Sequence, residues 1–138
     1  RRFRNCVEMK FAIVVQGAPY SHEASLSALH FVKAVLDAGH EIYRVFFYHD
    51  GIYNASDLIV PPQDETDIRA EWLSLSETHK VELITCIASS LRRGLLNEAE
   101  AERYERTAVN LNNAFEISGL GQLIDAGLAA DRTVTFAA

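Results

Sequence analysis

The sequence predicts a three-layer α/β/α domain built on a mostly parallel sheet of four or five strands. Two observations carry that prediction. Lys10–Gln16 (KFAIVVQ) and Ile42–Tyr48 (IYRVFFY) are short, largely apolar runs rich in β-branched and aromatic residues, the pattern of strands buried on both faces. Between them lies a stretch of helical periodicity closed by Gly39. Strand, helix, glycine and strand in that order form a βαβ unit, whose crossover is right-handed and whose strands are parallel.

Each element has its own local signature. Gly17-Ala18-Pro19 breaks the first strand. Ser21 can cap the first helix, in which Ala28, Phe31, Val32, Val35 and Leu36 recur at helical spacing. After the second strand, His49–Glu65 is polar in places and carries Gly51, Asn54 and Pro61-Pro62. It reads as a long loop at the carboxyl end of the strands, where open α/β sheets bind their ligands. Asp67–His79 reads as a helix with Ile68, Trp72 and Leu75 inward, and Val81–Ile87 (VELITCI) as the next strand. A short helical turn with two arginines follows over Ala88–Gly94. Asn97, with Glu100 at the third position, opens another helix whose Glu98, Glu100, Glu102, Arg103, Glu105 and Arg106 suggest a solvated face. A further helix starts near Ser118, with Leu120, Leu123, Ile124, Gly127 and Leu128 at amphipathic spacing. Arg132–Phe136 closes as the last strand, and there are no internal repeats.

Composition bounds the possibilities. The 138 residues suffice for one domain with a real core, and 49% hydrophobic with 23% charged residues is ordinary for a soluble globular chain. No apolar run approaches the ~20 residues that a membrane span needs. The formal charge is −6; without Arg1–Glu8 it becomes −8, from 10 basic and 18 acidic residues. Such a surface argues against charge-driven binding of nucleic acid. Two cysteines, one of them in the N-terminal tail, make no disulfide framework, which points to a reducing, cytoplasmic setting. The single methionine, Met9, directly precedes the first strand. Residues 1–8 are therefore expected to be a flexible leader, an alternative start or a cloning remnant, and 9–138 the domain. Cys6 falls in that leader and carries little weight.

Cys86 is the residue on which chemistry is expected. It ends an apolar strand and precedes Ser89-Ser90-Leu91-Arg92-Arg93. A helix N-terminus and nearby cations can bring a cysteine pKa from ~8.5 into the range of about 3.5–7.5. Arg92 and Arg93 are candidates to stabilise the thiolate; their alternative is a solvated pair at a helix end. For Cys86 the alternative is a small buried hydrophobe. No second cysteine stands at CxxC spacing, so single-cysteine group transfer fits better than disulfide exchange. The five histidines show neither HxxxH nor HExxH spacing, which argues against zinc. His49-Asp50 opens the long loop near the Cys86 end and can tune a proton there; its alternative is a solvent-facing loop start. Gln16-Gly17-Ala18-Pro19-Tyr20 lacks the second glycine and the lysine of a phosphate loop. No cofactor and no metal are implied. Phe46, Phe47, Tyr48 and Tyr53 read as packing residues rather than a base-stacking platform.

Five segments carry a resemblance. MKFAIVVQGAPYSHEAS (9–25), VFFYHDGIYNAS (45–56), PPQDE (61–65), CIASSLRRG (86–94) and SGLGQL (118–123) together resemble the DsrE/TusD branch of the DsrE-like sulfurtransferase family. The likeness runs in order from Met9 to Phe136. It implies that Cys86 accepts sulfane sulfur as a persulfide from a TusA-like donor and passes it to a TusE/DsrC-like acceptor. The TusD destination is 2-thiouridine at the wobble position of tRNA; the DsrE destination is dissimilatory sulfur oxidation. The resemblance further implies two homologous small subunits, TusB/TusC-like or DsrH/DsrF-like, in a heterohexamer, with no membrane and no direct contact with nucleic acid. A subunit that serves only as a non-catalytic scaffold is the alternative.

Overall fold

The computed structural model describes residues 7–138; Cys6 and most of the expected leader lie outside them. Five strands form one sheet in the order β4-β3-β2-β1-β5, every neighbouring pair parallel. They are β1 (Lys10–Val15), β2 (Glu41–Phe47), β3 (Leu83–Cys86), β4 (Phe115–Ser118) and β5 (Arg132–Phe136). The chain steps outward from β1 to β4 and then returns across the sheet, so that β5 pairs with β1. All five carboxyl ends share one edge.

Side chains alternate across a pleated strand, so the sheet has two distinct faces. Ile13, Val15, Val45, Phe47, Leu83 and Phe115 point into the main core with α1 (Ala24–Asp37) and α2 (Ile68–His79). Phe47 meets Trp72 and Phe115 edge-on, with centroids 5.3 and 5.4 Å apart. On the opposite face, Phe46, Ile84 and Cys86 form a smaller cluster against Tyr48 and Leu123, the latter from α5 (Gly121–Ala129). The expected α/β/α layering is therefore present, but one helical layer is much thinner than the other.

Four local expectations need correction. Ser21 does not cap α1: the helix begins at Ala24, whose N–H donates to His22 Nδ1 at 3.0 Å. The imidazole supplies the acceptor that a hydroxyl was expected to supply. His49–Glu65 is not a loop throughout. His49–Ala55 is a 3₁₀ helix that buries Gly51, Ile52, Asn54 and Ala55, because Asn54 is a polar hub inside the fold. Asn54 Nδ2 donates to Ser25 Oγ (2.9 Å) and the Gly51 carbonyl (2.8 Å), while Trp72 Nε1 donates to Asn54 Oδ1 (3.1 Å). The Asn97 helix, α4 (Glu98–Arg103), is capped as expected, but Glu100 is buried rather than solvated. Glu105 and Arg106 lie beyond its end.

The fourth correction concerns the C-terminal third. Phe115–Ser118 is the strand β4, which four residues at a sheet edge left without a clear period in the sequence. The helix after it starts at Gly121, and its apolar stripe does not face the core. Leu120, Ile124 and Leu128 are 48%, 64% and 83% exposed, and Ala126 is the one fully buried residue of α5. The inward side is instead anchored by polar bonds from β2, described below.

Candidate functional site around Cys86

Cys86 is the last residue of β3, with β2 on one side and β4 on the other. The helix α3 (Ile87–Arg92) starts at the next residue, so Cys86 occupies its cap position with extended backbone. Its side chain makes no cap bond to the α3 amides, and the residue is only 1% exposed. It belongs to a small apolar cluster with Phe46 and Ile84, against which Tyr48 and Leu123 pack. The thiol thus sits beside a helix N-terminus, in an apolar cluster.

The 3₁₀ helix is tied to α3 by groups that the sequence placed far apart. The His49 N–H donates to Ser89 Oγ at 3.0 Å, and Arg93 Nε donates to Asp50 Oδ1 at 2.7 Å. Arg93 also reaches the Ser89 carbonyl at 3.3 Å. His49 holds a positive φ of 50°, a conformation uncommon outside glycine, and its ring lies 4.0 Å from that of Tyr48. The structure therefore brings His49-Asp50 to the helix that follows Cys86. The arginines are placed differently. Arg92 and Arg93 stand at the far end of α3, about 9 Å along its axis from Cys86. Arg93 is committed to Asp50, and Arg92 is exposed on the last turn.

Three contributors to the site were not foreseen. Ser89 orients the 3₁₀ helix, and Leu123 packs against the cluster that holds Cys86. Arg44 is buried within β2 on the Cys86 face and binds Glu82 (2.5 Å), the Gln122 carbonyl (2.7 Å) and Asp125 (3.1 Å). Arg44 did have a signal: a buried arginine inside the apolar run IYRVFFY requires charged or polar partners. Tyr43 joins the group by donating to Asp125 at 2.8 Å. The Tyr43 hydrogen bond is the main cause that lowers the Asp125 pKa, and the guanidinium adds to it. The same bond, reinforced by desolvation, raises the Tyr43 pKa.

Among the described residues, no group of three or more His, Cys, Asp or Glu stands ready to hold a metal ion. No described helix is long and apolar enough to cross a membrane. A groove of about 450 Å³, lined by Leu91, Leu96, Tyr104, Arg106 and Asn110, lies behind α3. Cys86 does not line it.

A family profile described as DsrE/DsrF-like matches residues 9–136. The chain belongs to the DsrE/DsrF-like family. Similar family members include the DsrE protein of Allochromatium vinosum, 48% identical over 93% of this chain and 98% of that protein. The protein named sulfurtransferase TusD homolog of Pseudomonas aeruginosa is 50% identical over 93% of this chain and 97% of its own length. Sulfurtransferase TusD of an Enterobacter species is 46% identical and is covered completely. The crystal structure of the ychN protein from E. coli has a TM-score of 0.74 with 23% identity, over 93% of this chain and 99% of that one. That likeness supports the five-stranded DsrE-type fold. The family expectation raised by the five sequence segments is met.

Proposed function

We propose that this protein is a sulfurtransferase subunit that carries sulfane sulfur on Cys86. Relatives named sulfurtransferase, 46–50% identical over nearly all of the chain, support the activity. The observation that carries the site is the position of Cys86: a single thiol at the carboxyl edge of a parallel sheet, immediately before a helix. The Cys86 thiolate attacks the outer sulfur of a donor persulfide. A new S–S bond forms at Cys86 as the donor's S–S bond breaks, and the donor leaves as a thiolate. Cys86 then holds Cys–S–S⁻, and an acceptor thiolate takes the outer sulfur by the same exchange, so no external oxidant or reductant is consumed. The α3 N-terminus favours the negative charge on either sulfur. Arg93 acts through Asp50, fixing the 3₁₀ helix as a wall of the site.

The donor is a TusA-like protein and the acceptor a TusE/DsrC-like one, with wobble-uridine 2-thiolation as the destination. Two homologous small subunits complete the assembly, and the exposed Leu120, Ile124 and Leu128 supply apolar surface for such contacts. The near-equal identity to a DsrE protein supports a second destination, sulfur oxidation, through the same chemistry.

Intact-mass spectrometry after incubation with a persulfidated donor tests the carrier role. One added sulfur, lost in Cys86→Ser, is the expected result; a Cys86 peptide without added sulfur overturns it. Restoration of tRNA 2-thiouridine in a strain lacking its own TusD distinguishes the two destinations.

A further inference from the structure

The register of the sheet brings one more polar side chain level with Cys86. Strands β2 and β3 run parallel, with Phe46 opposite Ile84 and Phe47 opposite Thr85. One step further along the same register, Tyr48 stands opposite Cys86. The step is regular: Tyr48 has extended backbone (φ −131°, ψ 153°), and its N–H donates to the Val15 carbonyl at 2.9 Å, beside the end of β1. Tyr48 therefore lies on the same face as Phe46, and Cys86 on the same face as Ile84, one strand spacing of about 4.8 Å apart. The Tyr48 ring packs against this cluster, with its centroid 6.1 Å from the Phe46 ring and 4.0 Å from the His49 ring. The residue is half-buried, and no hydrogen bond within the described residues engages its hydroxyl. Strand side chains stand roughly perpendicular to the sheet, and a phenol is far longer than a thiol. The Tyr48 hydroxyl is thus carried beyond the level of Cys86 Sγ. A persulfide puts its outer sulfur about 2 Å beyond Sγ, toward that level. Ser118 pairs with Cys86 from the β4 side, but its hydroxyl is as short as the thiol.

We infer that Tyr48 is a sulfur-binding residue: its hydroxyl donates a hydrogen bond to the outer, anionic sulfur when Cys86 carries a persulfide. The inference rests on Cys86 being the sulfur carrier. No proton changes hands. The bond forms as the donor thiolate leaves, and it is released when an acceptor thiolate attacks the outer sulfur and the S–S bond to Cys86 breaks. Hydrogen bonds to an ionised acceptor are the stronger kind. One made only in the loaded form holds the sulfur on Cys86 without altering the free thiol. The neighbouring Phe46 and His49 rings keep the phenol in place.

The test is the sulfur-exchange equilibrium of the full chain with glutathione persulfide and glutathione, read by intact mass and by peptide mapping so that Cys6 is counted separately. The Cys86 thiol and glutathione persulfide give the Cys86 persulfide and glutathione, so atoms and electrons balance. Tyr48→Phe keeps the ring and its packing and removes only the hydroxyl. It should lower the exchange constant at Cys86 about tenfold, the low end for a hydrogen bond to a charged group, because the residue is half-exposed. Tyr53→Phe removes a phenol hydroxyl from a ring packed on the main core and should leave the constant unchanged. An unchanged constant in Tyr48→Phe, or an equal fall in Tyr53→Phe, overturns the role of Tyr48 and leaves the carrier role standing. No added sulfur on Cys86 in the unaltered chain overturns the carrier role, and the role of Tyr48 with it.

Discussion

Replacing Asn54 with alanine should be among the most damaging single changes in the chain, although a segment such as GIYNAS reads as surface loop. Asn54 is 1% exposed and joins three pieces of structure: its own 3₁₀ helix, Ser25 at the start of α1, and Trp72 in α2. Ser25 extends the chain of bonds to the Gly17 carbonyl at 2.7 Å. Alanine at position 54 strands the buried Trp72 indole N–H and removes the side-chain donor to the Gly51 carbonyl. Each orphaned buried group costs about 1–3 kcal/mol, and Ser25 Oγ loses its donor as well. The expected loss is therefore about 3–5 kcal/mol, a large share of the roughly 5–15 kcal/mol that holds a domain together. For a chain of this length that corresponds to a fall in Tm of roughly 10–20 °C. Urea unfolding followed by fluorescence measures it cleanly, because Trp72 is the only tryptophan and is fully buried. A loss below about 1 kcal/mol would refute the hub, since it would mean that water or a neighbour satisfies those groups at little cost.

Other outcomes follow from single contacts. Gly51→Ala would drive a Cβ into the Val15 carbonyl oxygen, so the 3₁₀ helix cannot keep its seat on β1. Thermal denaturation should show a loss of more than about 3 kcal/mol, or no soluble protein. Asp50→Asn should change stability by no more than about 1 kcal/mol, as expected for an exposed ion pair, while slowing sulfur loading of Cys86. Equal loading rates would remove the Asp50–Arg93 clasp from the site. The Tyr43–Asp125–Arg44 cluster has a defined pH window. Asp125 has a lowered pKa in the folded state, so its contribution is present above the ordinary aspartate range and lost as pH falls through the lowered value. Tyr43 has a raised pKa, so its contribution is present below the ordinary tyrosine range and lost as pH rises through the raised value. The stability difference between the native protein and Asp125→Asn should therefore be flat across neutral pH and shrink at both extremes.

The sequence by itself determined the parallel α/β class, four of the five strands and the carboxyl-edge position of Cys86. These features are local: unbroken β-branched runs mark strands buried on both faces, and a helix between two of them forces the crossover. The helix over Asp67–His79 was legible for the same reason, with Ile68, Trp72 and Leu75 inward as their spacing requires. Tertiary structure decided what local pattern could not. Asn54 and Gly51 look like turn residues, and only contact with Trp72, Ser25 and the β1 carbonyl end turns their segment into core. The stripe of α5 has the period of a buried face, yet the return crossover to β5 and the grip of Arg44 set that helix with Leu120, Ile124 and Leu128 outward. Periodicity says that a helix has an apolar side; it does not say whether the rest of the chain is there to cover it. The same long-range packing buried Cys86, and so made access to the thiol, rather than its place in the sequence, the question on which its chemistry turns.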